Sequence, residues 1–250
     1  MKIFETHAHL DHPQFASDRD AVIKSCSQQG IDFIINIGCD KQTTLDSIAL
    51  AEKYEFVYAS AGYHPHDAKE FDLDFLKKQA AHPKIIAIGE IGLDYYRYLS
   101  PKAIQQDVFR KQLQLAVELK KPVVVHNREA NEDCLQILRE FKPEKVVYHC
   151  FSGDVFYARE VLMEGWFISF TGNITYKNSN LAEVIRIIPF DRYFVETDCP
   201  YLAPHPLRGK RNDPRNLRYI IEKIAEIKGI SPKLAAEQSY RNALKFFLNK

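Results

Sequence analysis

Residues 122–127 read Pro-Val-Val-Val-His-Asn, a β-branched run that stops on a histidine. Three consecutive valines favour extended backbone, and with no polar residue alternating among them they suit a strand covered on both faces. The same design recurs outward in both directions. KIFET (2–6), DFIINIG (32–38), FVYASAG (56–62) and KIIAIGE (84–90) come before it; KVVYHC (145–150), WFISFTG (166–172) and RYFVETD (192–198) come after. Between these runs lie longer segments with helical periodicity. In 101–120, Ile104, Val108, Phe109, Gln112, Leu113, Ala116 and Leu119 keep one face largely apolar. Ser100-Pro101 and Ser231-Pro232 each read as an N-cap followed by a favourable first helical residue. Buried strands alternating with helices, with no linker or repeat between them, predict an α/β protein: a closed (β/α)8 TIM barrel formed as one domain over residues 1–250. An open doubly wound sheet is the alternative, but it usually shows a Gly-rich first turn, which THAHLDH (6–12) is not.

The composition is that of an ordinary globular protein, with 46% hydrophobic and 27% charged residues. No apolar run approaches the roughly 20 residues that span a bilayer, and Met1-Lys2-Ile3 leads into a charged stretch; a cytoplasmic protein with no membrane partner is expected. The five cysteines are scattered and form no CxxC pair, so they read as reduced, mostly structural thiols. A net charge of +1 argues against a large surface that tracks duplex backbone, although not against gripping one strand end.

In a barrel of this kind the functional face is where strands end and loops begin. The chemically useful side chains fall there: His7 and His9 after the first run, His64 and His66 after the third, Glu90 at the end of the fourth, then His126, His149 and Asp198. Residues i and i+2 of an extended chain point to one side, so His7-Ala8-His9 presents both imidazoles to a single cation. His12 has the wrong offset and reads as a loop residue. Imidazoles and carboxylates without thiolates suit Zn²⁺, Mn²⁺ or Fe²⁺, and Mg²⁺ if waters complete the shell. The set exceeds what one catalytic zinc takes, so two divalent ions sharing a carboxylate are expected, with Glu90 as the natural bridge. A lone histidine at a strand end is more often a satisfied hydrogen-bonder than a ligand, but such an explanation would have to hold separately at each of these strand ends.

The blocks ETHAHLD (5–11), GYHPH (62–66), GEIGLDYYR (89–97), PVVVHNREA (122–130), YHCFSG (148–153), TGNITY (171–176) and ETDCPYLAPHPLRGKRNDP (196–214) resemble the signature blocks of the TatD family of metal-dependent deoxyribonucleases. The resemblance runs from Phe4 to about Arg218 and implies an amidohydrolase-like metal barrel with a two-metal phosphodiesterase site. It implies that His7, His9 and Asp198 hold one ion, His126 and His149 the second, and that Glu90 bridges them. The chain departs from the family pattern at Glu5, at Asn127-Arg128-Glu129 and at Tyr63, and none of these departures removes a ligand.

A water held between two cations is a nucleophile at neutral pH, and Asp198 is the candidate to orient it or take its proton, with pure ligation as the rival role. Glu196 would orient a ligand from behind. Substrate contacts are expected from His64, from Tyr95, Tyr96 and Arg97 in GLDYYR, and from Arg128, whose planar guanidinium matches phosphate oxygens, while Asp94 would shape the pocket from behind, as Glu196 does. The bland competitor for Arg128 is an ion pair with Glu129 or Glu132; that for Tyr95 and Tyr96 is packing. Arg208, Lys210, Arg211, Arg215 and Arg218 form a basic run against one acid, Asp213, where a polyanion would enter. The expected activity is hydrolysis of DNA, as a 3′→5′ exonuclease on single-stranded ends, with nucleic acid as the substrate partner and no obligate protein partner evident. The same metals acting on an ester or amide, as in aminoacyl-tRNA deacylation, are the enzyme rival. A noncatalytic nucleic-acid-binding barrel is the rival from another class, and has no need of an intact ligand set.

Overall fold

Each of the β-branched runs becomes a strand in the computed structural model, which describes all residues from Met1 to Lys250. The order is β1 (Ile3–Ala8), α1 (Arg19–Gln28), β2 (Ile31–Asn36), α2 (Lys41–Lys53), β3 (Val57–Ala61), α3 (Leu73–Ala80), β4 (Ile85–Asp94), α4 (Lys102–Glu118) and β5 (Val123–Arg128). It continues α5 (Asn131–Phe141), β6 (Val146–Tyr148), α6 (Val155–Met163), β7 (Phe167–Phe170), α7 (Ala182–Ile187), β8 (Tyr193–Val195), α8 (Leu217–Lys228) and α9 (Pro232–Leu248). The strands form one sheet in sequential order, β1 to β8, and this is the (β/α)8 TIM barrel expected from the periodicity. No helix is long and apolar enough to cross a membrane. The chain divides into two compact units, Met1–Asn36 with Cys150–Lys250, and Ile37–His149.

In the first unit β1 pairs in parallel with β2, and β7 with β8. β1 meets the chain beyond β8 through a parallel bridge between Ala8 and Cys199, flanked by Asp198 N–H donating to His7 O (3.0 Å) and His9 N–H donating to Cys199 O (2.9 Å). β8 is shorter than the run 192–198 suggests, because the Thr197 N–H leaves the ladder and donates to the Glu5 carboxylate instead. α9 seals this unit. Its Ser231 cap forms as expected, accepting from Leu234 N–H, and Ser239 Oγ accepts from Val195 N–H (2.9 Å). Phe167 and Phe194 stack at 4.8 Å, and Phe246 packs edge-on against both. The thiol of Cys26 is pushed up to about 12 by burial, which keeps it inert at neutral pH.

In the second unit β3, β4, β5 and β6 pair in parallel, and Val123, Val124 and Val125 are buried on both faces, as their unbroken run requires. Two expectations are corrected here. Glu90 does not end β4: the strand continues to Asp94, with three steps of β4 (Ile88 to Ile91) set against two of β5 (Val123 to Val125). This bulge inserts one extra residue next to Glu90 and changes which face the following side chains take. The second correction concerns Ser100, which does not cap α4. Its hydroxyl donates to His66 O (2.9 Å), and the helix starts one residue later with Pro101 in the cap position.

The aromatic seal under β8 yields a prediction. Phe194→Ala removes a fully buried ring from the centre of that cluster and is expected to cost about 3–5 kcal/mol, read as a lower urea midpoint with an unchanged slope.

Candidate metal centre

The first unit carries a cluster of His7, His9 and Asp198. His7 lies inside β1, not after it as the sequence suggested, and His9 one residue beyond, so strand alternation points both rings the same way. His7 Nε2 and His9 Nε2 are 3.2 Å apart; Asp198 Oδ1 lies 3.3 Å from His9 Nε2 and 3.7 Å from His7 Nε2. Asp198 adopts a left-handed φ of 55° three residues past β8, and its backbone is pinned to β1 by the hydrogen bond to His7 O. Behind the cluster the fully buried Glu5 carboxylate accepts from Thr197 Oγ1 (2.6 Å), Thr197 N–H (2.9 Å) and His7 N–H (3.2 Å). Burial pushes the Glu5 carboxyl up to about 8, with the Thr197 and His7 bonds pulling the other way. Glu196 is also buried and accepts from Cys150 N–H (2.7 Å) and Thr6 Oγ1 (3.2 Å), so it braces the chain around His7.

The second unit gathers its histidines around one oxygen. Glu90 Oε1 lies 2.8 Å from His126 Nδ1, 2.9 Å from His149 Nε2 and 3.5 Å from His64 Nε2. His126 Nε2 in turn lies 3.2 Å from Asp94 Oδ2, which His66 Nε2 approaches to 2.9 Å from the other side. Burial pushes Glu90 up, but the charges of His149 and His64 and the bond from His126 outweigh it and hold the carboxyl well below its usual range. Burial and the neighbouring His126 press His64 well down, whereas His126 is held above its ordinary value because the bonds to Asp94 and Glu90 outweigh its burial.

Two buried glutamines of α4 position this cluster, and sequence reading assigned neither a role. Gln112 Oε1 accepts from Tyr63 N–H (2.7 Å) while its Nε2 donates to Tyr63 O (3.0 Å), which fixes the chain just before His64. Gln105 does the same to Asp94, at 2.8 and 3.0 Å. The signal was a pair of amides two helical turns apart on a face otherwise apolar, a spacing that aligns them. Gly92 adds a constraint of its own. Its φ is +143°, and a Cβ there would lie 2.0 Å from His126 O, so only glycine lets β4 pass this close to β5.

Both donor sets suit a divalent cation. A zinc held at about 2.0–2.1 Å in tetrahedral geometry separates its donors by roughly 3.3 Å, and the spacings in the His7, His9, Asp198 group are 3.2 to 3.7 Å. That group and the group His64, Glu90, His126 each bring their ligand atoms within 4.8 Å of one another.

The remaining expected residues divide. Arg128 ends β5 exposed and forms no ion pair with Glu129 or Glu132; its guanidinium lies 3.8 Å over the ring of Tyr96. Tyr95 takes the packing role: its hydroxyl donates to Asp133 Oδ2 (2.7 Å) and accepts from Gln106 Nε2, and Lys102 covers its ring. Arg97 is exposed, with its N–H on Asp94 Oδ1 (2.7 Å). Arg208 lies over the Tyr176 ring at 4.5 Å. Arg211 is engaged by Asp18, at 2.7 and 2.8 Å, and Arg215 by Asp213, so the basic run is less open than its composition suggested. His12 sits in the loop, accepting from Gln14 N–H.

The sequence model described as TatD related DNase matches residues 4–248. The metal-dependent hydrolase YabD of Bacillus subtilis is 43% identical, with 98% of each chain covered. The 3′-5′ ssDNA/RNA exonuclease TatD of Erwinia tasmaniensis is 35% identical, covering 98% of this chain and 99% of its own. Among solved structures, the TatD homologue YjjV of Escherichia coli K12 superposes with a TM-score of 0.91 at 27% identity, over 98% of each chain. A barrel with histidine and carboxylate clusters at its strand ends, matched over nearly its whole length by this family, belongs to the TatD-related DNases, metal-dependent hydrolases in which the signature blocks supply the clustered donors.

Proposed function

We propose that this hydrolase cleaves phosphodiester bonds of nucleic acid, releasing nucleotides from single-stranded ends in the 3′→5′ direction. The observation that carries the reading is the pair of donor clusters, one of His7, His9 and Asp198 and one built on Glu90 with His126 and His149, alongside an Arg128 guanidinium that no carboxylate neutralises. The relative named as a 3′-5′ ssDNA/RNA exonuclease, alike over almost its entire length, supports the substrate class and polarity. Two ions are proposed, one for each cluster.

What divalent cations supply when bound here is Lewis acidity, lowering the pKa of coordinated water towards about 7 and offsetting charge on the phosphoryl oxygens. The chain's own residues do the rest. Asp198 Oδ1, beside His9, is the acceptor for a proton from the attacking water. Arg128 takes two phosphate oxygens through parallel N–H bonds, which fixes the orientation of the diester. His64, held neutral by its burial, donates one further bond to the phosphate.

Metal binding is expected to stabilise the fold by mass action. Zn²⁺ or Mn²⁺ at about 100 times its dissociation constant should add about 2.7 kcal/mol per site, seen as a higher melting temperature that His9→Ala lowers in part, and metal analysis should return two ions per chain. Activity is tested with end-labelled single- and double-stranded DNA in Mg²⁺, Mn²⁺ or EDTA. Nucleotide release should stop with chelator and fall roughly 1,000-fold in Glu90→Ala, since a lost ligand removes several kcal/mol of charge stabilisation. Release that persists with EDTA would sink the mechanism, and turnover of an aminoacyl ester without any DNA cleavage would replace the substrate.

A further inference from the structure

We propose that Tyr96, backed by Arg128, is a stacking platform for a base at the end of a single-stranded nucleic acid. The inference rests on the nucleic-acid reading above and adds to it the subsite that recognises the base.

Three tyrosines lie in the turn after β4, and they are not equivalent. Tyr95 is committed to Asp133, Gln106 and Lys102, whereas Tyr96 and Tyr98 are 53% and 54% exposed. Of the exposed two, Tyr96 has a cation over its ring, with the Arg128 guanidinium 3.8 Å from the centroid and Arg97 at 5.9 Å. The backbone around it is held on both sides. Tyr95 N–H donates to Arg128 O (2.9 Å), and Arg97 N–H donates to Asp94 Oδ1 (2.7 Å). The ring therefore sits on a braced turn, so little freedom is lost when a ligand lands on it.

Its location says what that ligand would be. Asp94, which anchors the turn, is the carboxylate shared by His66 and His126, and Arg128 follows His126 by two residues on β5. Side chains two apart on a strand share a face and are separated by about 6–7 Å. A phosphate held near His126 with its oxygens on Arg128 thus brings the attached nucleoside to the flat face of Tyr96. A planar ring next to a phosphate-binding cation matches a nucleobase and its phosphodiester, and stacking of this kind accepts every base.

The test compares kcat and KM for a 5′-labelled single-stranded oligonucleotide with those for the same strand carrying a tetrahydrofuran abasic residue at the last or the penultimate position. Wild type, Tyr96→Ala and Tyr96→Phe are measured on each. Tyr96→Ala is expected to raise KM for the natural strand roughly 5- to 100-fold, the range base–aromatic stacking supplies. At one of the two positions its KM for the abasic strand should match that of wild type for the same strand. Tyr96→Phe, which keeps the ring, should keep the preference for a base. If Tyr96→Ala weakens natural and abasic strands equally, or leaves the preference intact while wild type degrades DNA, the platform is overturned and the nuclease reading stands. If wild type cleaves no nucleic acid at all, both fall together.

Discussion

Glu5 and Thr197 are 192 residues apart in sequence, yet the Thr197 hydroxyl and N–H both donate to the Glu5 carboxylate in a fully buried setting. An acidic group with no cation beside it is costly to bury unless its oxygens are occupied, and in a low-dielectric interior bonds to it are correspondingly strong. The contact ends the β8 ladder, turns the chain towards Asp198 and, through His7 N–H, fixes the strand that carries the first pair of imidazoles. The glutamate at position 5 supplies the reach to Thr197. The first donor cluster depends on this junction, because it is where residues from the two ends of the chain meet.

The second cluster is held by a different device. There α4 presents Gln105 and Gln112, each closing a two-way amide-to-peptide pair on a strand end, and the glycine at 92 lets β4 and β5 approach closely enough for Glu90 and Asp94 to address both nitrogens of His126. Such fully satisfied buried polar pairs specify one arrangement of the backbone. The imidazoles are consequently set by neighbours that have no part in the chemistry. Electrostatics then sorts them: the carboxylates Glu90 and Asp94 stay ionised despite burial, while His64 stays neutral.

Much of this was legible beforehand. The eight runs of β-branched and apolar residues mark eight strands, because burial on both faces excludes polar alternation, and the histidines and acids at their ends can be read directly. The i, i+2 spacing identified His7 and His9 and released His12 to its loop. The Ser231 cap followed from the Ser-Pro pair. Other features were not legible, for physical reasons. A bulge leaves no mark in composition, so Glu90 read as the end of a strand in which it sits midway. Ser100 carried the same cap signal as Ser231, but the helix starts one residue later with Pro101 in the cap position, and the Ser100 hydroxyl ties the turn to His66 O instead. Charge runs do not reveal their partners, and Asp18, nearly two hundred residues from Arg211, is the partner that matters.

The sequence by itself determined the architecture and the kinds of atoms available at its rim, since strand burial and local spacing depend on residues close together in the chain. Tertiary structure alone decided which of these atoms face one another, and it separated Tyr95 from Tyr96, neighbours of one residue type with opposite fates. Asp133 and Gln106 capture the first; the register of Asp94 against Arg128 leaves the second open to solvent beneath a guanidinium. That difference lies in contacts between elements distant in sequence, and only folding brings those together.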